Sequence, residues 1–330
     1  MRILLIGGAG YIGSSIAFHL LDRGHAPAVF DNLSTGSREA IPPGVDFVEA
    51  DCGDASALRG AISSLKIDAV VQLAAAVRVE ESVAEPAKYY FNNTVKSLTV
   101  FDTCARAGVR DFVFSSTAAV YGAPEKVLIG EDVATVPVNP YGHSKLACEF
   151  MLKDIARVSG MRATILRYFN VAGADPRLRT GQRTPEATHL IKVAAEVASG
   201  KRAALDIFGT DYPTPDGTCV RDYIHVMDLA LAHELALTKP GLDGETRIFN
   251  CGYGTGHSVR QVADAFGQVL NHPLATRDRP RRPGDAPALA CDSAKLKREL
   301  GWEPQHASIR AIVDSALNWE RKLMADRPSR

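Results

Sequence analysis

Residues 2–6 (RILLI) form a short apolar run that breaks into Gly7-Gly8-Ala9-Gly10-Tyr11-Ile12-Gly13, and no other feature of the chain restricts its fold so tightly. An apolar run bounded by glycines suits a strand buried on both faces. SSIAFHLLDRG then carries apolar residues at helical spacing, and a second apolar run, APAVF, ends at Asp31. Strand, glycine turn, helix, strand and acid make up a βαβ unit of the length that dinucleotide-binding folds use. In such a unit Gly7 permits the tight turn, Gly10 lets backbone amides approach a pyrophosphate, and Gly13 lets the helix pack closely. The helix N-terminus offers unpaired N–H groups and the positive end of a dipole to phosphates. Asp31 can accept from both ribose hydroxyls and would repel a 2′-phosphate, which selects NAD over NADP. The spacing is GxxGxxG rather than GxGxxG, and a plain tight turn could use the same glycines. The flanking elements and the acid 18 residues beyond Gly13 favour the cofactor.

Further strands are expected at VDFVEAD, IDAVVQLAAA and DFVFSSTAAVYG, with a helix from Pro86 to Ala107. Strands alternating with helices predict an α/β fold with a doubly wound, parallel, Rossmann-type sheet and a smaller C-terminal substrate lobe. Ligands collect at the carboxyl ends of strands in such sheets, so Asp51, Leu73–Ala75 and Ser115–Thr117 should open onto one crevice. Residues 1–169, with a return around 218–252, should form the nucleotide domain, and 170–217 with 253–330 the second lobe. At 330 residues the chain is long enough for both parts.

Composition narrows the function. The 38 basic and 38 acidic residues cancel, which argues against a nucleic-acid partner. No run approaches the roughly 18–20 apolar residues of a membrane span, and the N-terminal run is too short for a secretion signal. Six cysteines, Cys52, Cys104, Cys148, Cys219, Cys251 and Cys291, lack metal-type spacing. They read as reduced thiols of a cytoplasmic protein, and no metal is expected.

The reactive signal is Tyr141-Gly142-His143-Ser144-Lys145, introduced by the helix start Asn139-Pro140. Residues i and i+4 share a helix face, so Tyr141 and Lys145 project together. A free phenol titrates near about 10 and is a poor base at neutral pH. A neighbouring ammonium and a positive nicotinamide would favour phenolate. Thr117, at a strand end, can hold a substrate oxygen beside it.

Taken with Phe114-Ser115-Ser116-Thr117 and Arg167-Tyr168-Phe169-Asn170, the glycine turn and the Tyr141-xxx-Lys145 pair resemble those of extended short-chain dehydrogenases/reductases. Residues 208–214 (FGTDYPT) and 216–226 (DGTCVRDYIHV) are similar to the UDP-glucose 4-epimerases among them. The resemblance runs to about residue 320. It implies a homodimer, and it implies NAD contacts from Asp31, Asn32, Asp51, Cys52, Asn92, Tyr141, Lys145 and Phe169, with Gly7, Gly10, Tyr11, Ile12, Gly13, Leu73, Ala74 and Ala75. It implies that Asn170, Arg221, Arg282 and Asp285 hold UDP and that Phe208 stacks near uracil. Two arginines suit a diphosphate, although each could also form a surface ion pair, and Asp285 could be a turn carboxylate after Pro283-Gly284. Tyr168 reads as core.

The chain departs from the epimerase pattern at three places. Val77 stands where a lysine is common, with Arg78 its nearest basic neighbour. His189 replaces a nucleotide-sugar asparagine, or is structural. Leu289 stands at the sugar-pocket gate, where its modest volume leaves room for an N-acetyl group. The implied reaction inverts C4 of UDP-glucose and UDP-galactose: Tyr141 takes the 4′-hydroxyl proton, hydride passes to NAD, and the 4-keto sugar turns over before hydride returns. UDP-xylose/UDP-arabinose and the N-acetylated sugars remain open as substrates. A 4,6-dehydratase would need acids after Thr117, where Ala118 and Ala119 stand. A non-catalytic dinucleotide sensor usually lacks the Tyr or the Lys, and this chain keeps both.

Overall fold

The computed structural model describes residues 1–184, 187–282 and 286–326. Seven parallel strands form the main sheet: β1 (Arg2–Ile6), β2 (Ala26–Asp31), β3 (Asp46–Glu49), β4 (Ala69–Gln72), β5 (Asp111–Thr117), β7 (Arg162–Tyr168) and β11 (Thr246–Cys251). Their order is β11-β7-β5-β4-β1-β2-β3. The chain first winds outward from β1 to β3, then crosses back to β4 on the other side of β1. That reversal opens a crevice between the ends of β1 and β4.

Side-chain alternation explains why both faces are covered. Ile3 and Leu5 point to one face, where α1 (Tyr11–Asp22) and α8 (Val226–Thr238) bring Ile16, Leu20 and Leu229 against them. Leu4 and Ile6 point to the other, under α2 (Ala55–Ser64), α5 (Lys96–Arg106) and α6 (Pro140–Ser159), which supply Leu58, Phe101 and Leu152. All four strand residues are fully buried. Each contributes about 1.5–3 kcal/mol of apolar burial. A run buried on both faces is thus the one that β1 requires.

The expected helix from Pro86 to Ala107 is three joined pieces: α4 (Pro86–Tyr89), a π turn over Tyr90–Val95, and α5. The wide turn makes room for a buried asparagine described below. Helix α6 begins as its sequence predicts: the Asn139 side chain accepts from the Gly142 amide at 2.9 Å, Pro140 follows, and Gly160 in the left-handed region ends the helix.

A second, mixed sheet joins β6 (Leu128–Ile129), β8 (Asn170–Ala172), β10 (Val220–His225), β12 (Gly256–Ser258) and β14 (Ala288–Cys291). Helices α7 (Leu190–Ala198), α9 (Val259–Leu270) and α11 (Ile309–Ala325) pack together beside it around Phe266, Val313 and Leu317. A two-stranded ribbon, β9 (Leu205–Phe208) with β13 (Thr276–Arg279), completes this part. The chain passes from β10 straight into α8 and then β11, returning to the first sheet. Among the described residues no helix is long and apolar enough to cross a membrane, and no cluster of His, Cys, Asp or Glu is placed to hold a metal.

Candidate active site

The glycine turn sits at the end of β1, against the loop after β4. Gly7 has φ +85°, and a Cβ there would meet the Ala74 amide nitrogen at 2.5 Å. A Cβ on Gly13 would meet the Gly7 oxygen at 2.5 Å, so this glycine lets α1 close onto the turn itself rather than onto the sheet. Close approach to the sheet falls to Gly8, whose Cβ would meet Leu5 and Val29 within 2.9 Å. Gly10 is the N-cap of α1 and provides no side-chain cap, and the first helical turn holds no acid. The helix therefore presents uncapped amides and its positive end to the crevice. Tyr11 turns away, donating to the Gly173 carbonyl at 2.6 Å, and Ile12 packs on the core beneath.

Asp31 ends β2. Its two oxygens accept from the Ala9 amide at 3.0 Å and the Leu33 amide at 2.8 Å, which fixes the carboxylate and leaves one lone pair on each oxygen. Asn32 donates to Asp51 at 2.9 Å, and Lys96 reaches the same carboxylate oxygen at 2.6 Å. Asp51 is held below the usual carboxylate range: hydrogen bonds from Lys96 and Gly53 outweigh partial burial. Cys52 is partly buried, which lifts its thiol to about 11, so it is not a thiolate at neutral pH.

The floor after β4 is clamped. The Leu73 and Ala74 amides both donate to the Ile6 carbonyl, at 2.8 and 3.0 Å, and Ala75 stays partly exposed. Asn93, on the π turn and fully buried, accepts from the Ala76 amide at 2.8 Å and donates to the Ala76 carbonyl at 3.0 Å and to Ser144 Oγ at 3.1 Å. One amide side chain thus ties the β4 loop to α6. Asn92, the residue suggested by resemblance, is partly exposed and donates to Asn93 at 3.2 Å. Val77 is half exposed, and the Arg78 backbone exchanges hydrogen bonds with the Tyr89 hydroxyl.

Tyr141 and Lys145 lie one turn apart near the start of α6, with Tyr141 against Thr117 at the end of β5. The Thr117 hydroxyl accepts from the Ala119 amide at 3.1 Å and hydrogen-bonds the Tyr141 phenol, which favours its anion. Burial pushes the phenol the other way, and the net shift is upward. The sequence predicts that Lys145 lowers this value, but here the opposing influence comes from Thr117. The reason is geometric: Lys145 Nζ lies 4.1 Å from the centre of the Phe114 ring, down on the sheet. It is buried, has no hydrogen-bond acceptor among the described residues, and desolvation brings it down to about 8. Tyr168 is partly buried and packs on the core under α1 and α8.

Beneath the pair lies a network that the motifs did not reveal. Glu149, one further turn along α6 and fully buried, accepts from Ser116 Oγ at 2.5 Å and from Arg167 at 2.9 and 2.5 Å. Arg167 also donates to the Tyr121 hydroxyl at 2.9 Å, and Tyr121 donates to Asn250 at 2.7 Å. The signal available in the sequence was an arginine inside the apolar strand ATILRYF and an acid eight residues after Tyr141 on the same helix face.

Asn170 and His189 line one small pocket with Gln182, Lys192, Tyr223 and Trp319. Gln182 holds the His189 ring at 3.0 Å. Phe208 carries the Arg282 guanidinium 3.8 Å from its ring centre, and Arg282 also reaches Glu80 at 3.6 Å, so the segment after β13 touches α3 (Val79–Ala84). Arg221 donates to the Val220 and Ala286 carbonyls and pairs in register with Leu289. Leu289 packs on the cluster that contains Phe169 and Tyr121, as does Ala118, the residue after Thr117. Phe169 is almost fully buried in that cluster. Asp285 lies outside the described residues.

Residues 3–252 match the NAD dependent epimerase/dehydratase family. The chain belongs to that family. Among its relatives, the UDP-glucose 4-epimerase of Azospirillum brasilense is 53% identical, over 98% of this chain and 92% of that protein. A crystal structure of a UDP-glucose 4-epimerase superposes with a TM-score of 0.95 at 42% identity, covering all of both chains. The UDP-glucose 4-epimerase from Bifidobacterium longum, solved in complex with NAD+ and UDP, gives a TM-score of 0.92 at 34% identity over 98% of each chain. The family's cofactor fits the residues present. The uncapped α1 N-terminus suits a pyrophosphate, Asp31 suits a ribose, and the buried Lys145 ammonium has donors to spare.

Proposed function

We propose that this protein interconverts UDP-glucose and UDP-galactose by NAD-dependent epimerisation at C4 of the sugar. One observation carries the reading: Tyr141 and Thr117 are hydrogen-bonded to each other, one helical turn from a buried Lys145 that has no hydrogen-bond acceptor among the described residues. All three are on elements that open onto the crevice containing the α1 N-terminus. Bound NAD supplies reversible hydride acceptance at C4, so the sugar passes through a 4-keto form with no net redox change. Tyr141 takes the 4′-hydroxyl proton and returns it. Thr117 holds the same oxygen beside the phenol. Ala118 and Ala119, next in the chain, have no proton to give, which disfavours elimination of water from the sugar.

Asn170, Arg221, Arg282 and Asp285 hold the UDP, with Phe208 and His189 beside the base and ribose. Planar, multi-donor guanidinium groups suit a diphosphate. Concentrating recognition on the nucleotide leaves the hexose free to turn over. The nucleotide lobe comprises residues 1–169 with the return around 218–252, and the sugar lobe comprises 170–217 and 253–330. Two copies associate through the exposed apolar strip of Phe91, Val95, Leu98 and Phe150. The six free thiols support a cytoplasmic location.

The deciding experiment incubates the purified protein with UDP-glucose, without added NAD, and follows UDP-galactose by chromatography. Conversion to an equilibrium mixture is expected, and no conversion, even with NAD added, overturns the reading. Parallel incubations with UDP-N-acetylglucosamine and UDP-xylose measure how wide a pocket Leu289 leaves.

A further inference from the structure

The charged network under α6 reaches each segment that carries a reacting group. Ser116, bonded to Glu149, directly precedes Thr117. Arg167, bonded twice to Glu149, pairs with Ser116 across β5 and β7 and stands three residues before Asn170. Tyr121, bonded to Arg167, closes the turn that follows Thr117. Glu149 itself lies one helical turn beyond Lys145. A single carboxylate therefore joins the strand end, the catalytic helix and the substrate strand.

We propose that Glu149 is a positioning residue for epimerisation: it locks Thr117 in register with α6 and serves as the buried counter-charge of the Lys145 ammonium. The groups that face Lys145 narrow the candidates. The titratable groups on the surrounding elements are Tyr141, Cys148 and Glu149 on α6, Arg167 and Tyr168 on β7, Tyr121 after β5 and Tyr89 on α4, and of these Cys148 and Glu149 are the ones whose charge acts on Lys145. Among them Glu149 is the carboxylate. Cys148 is held as a thiol by burial, with its Sγ bonded to the Asn93 and Ser144 carbonyls. The Glu149 charge favours the protonated lysine, opposing the larger effect of desolvation. Removing that charge while Arg167 remains makes the ammonium harder to keep.

The inference rests on the epimerase reading, but its test includes a measurement that needs no turnover. For Glu149→Gln, the alkaline limb of the kcat profile is expected to move towards lower pH by on the order of one unit. KM for UDP-glucose should change far less than kcat. Glu149→Asp keeps the charge and should keep the limb near its parent position even where kcat falls. Ultraviolet titration of the phenolate, taken as the difference from Tyr141→Phe, should show Tyr141 ionising at higher pH in Glu149→Gln than in the parent, because a Thr117 freed from register no longer supplies the hydrogen bond that favours the anion. Should Glu149→Gln not fold, Glu149→Gln/Arg167→Met removes both buried charges and is measured in its place. A folded variant with unmoved limb and unmoved phenolate titration overturns the proposal. Failure of the parent to turn over UDP-glucose overturns the function instead and leaves the titration to decide the role of Glu149.

Discussion

The ammonium of Lys145 and the ring of Phe114 face each other at 4.1 Å, a cation laid on an aromatic face in the interior of the protein. The contact recovers part of what the charge loses by leaving water, but desolvation still brings Lys145 down to about 8 from 10.5. The unfolded chain therefore binds more protons than the folded one between those two values. Stability should rise with pH across that window, by about 3 kcal/mol in all, and the full cost is present below pH 8. Lys145→Met should lose that slope and be more stable than the parent at pH 7, while turnover drops by roughly 100-fold or more. Urea denaturation of the cofactor-free protein at pH 7 and pH 10 checks both parts.

Tyr141→Phe removes the proton acceptor and keeps the ring. Turnover should fall by about 10²–10⁴-fold, with bound NAD retained, because the glycine turn and Asp31 are untouched. Kinetics and the NAD content of the purified variant measure the two outcomes. Wild-type turnover in this variant would remove the assigned base.

Asn93→Ala leaves the Ala76 amide and carbonyl and Ser144 Oγ without the buried partner they share. A loss of about 1–3 kcal/mol is expected. The freed loop after β4 should also weaken NAD retention. Thermal denaturation with and without added NAD separates the two effects, since ligand binding restores stability only where the crevice still forms.

Phe150 on α6 is 55% exposed, and Phe91 on the π turn is 61% exposed. Water does not favour such a strip on a monomer. Phe150→Glu should convert a dimer to monomers in sedimentation equilibrium, with its spectroscopic fold unchanged. A parent protein that sediments as a monomer would remove the proposed interface.

Much of this arrangement was legible because it depends on local chemistry. The βαβ unit is dictated by apolar runs, glycines and an acid whose spacing leaves few alternatives. The start of α6 is written in Asn139 and Pro140, and Tyr141 and Lys145 follow from helical geometry. The second sheet was not legible: β6, β8 and β12 have two or three residues each, too short for any periodicity, and they are assembled by pairings across long separations. Asn93 was not singled out because the π turn that brings it inward to tie the loop after β4 to α6 leaves no mark in local spacing. The direction of Lys145 was missed for another reason. Its Cβ shares a face with Tyr141, but a four-carbon stem lets the charge settle on a ring that only the folded sheet provides.

The passage of the chain from β10 into α8 and back to β11 has a practical meaning for anyone dissecting this enzyme. A fragment stopping near residue 169 would omit the last strand of the first sheet together with the helix that shields Ile3 and Leu5 from water. The strands of the two sheets are interleaved along the polypeptide, so neither sheet can be grafted or expressed as a module by a single cut, and chimeras must exchange at least two segments at once.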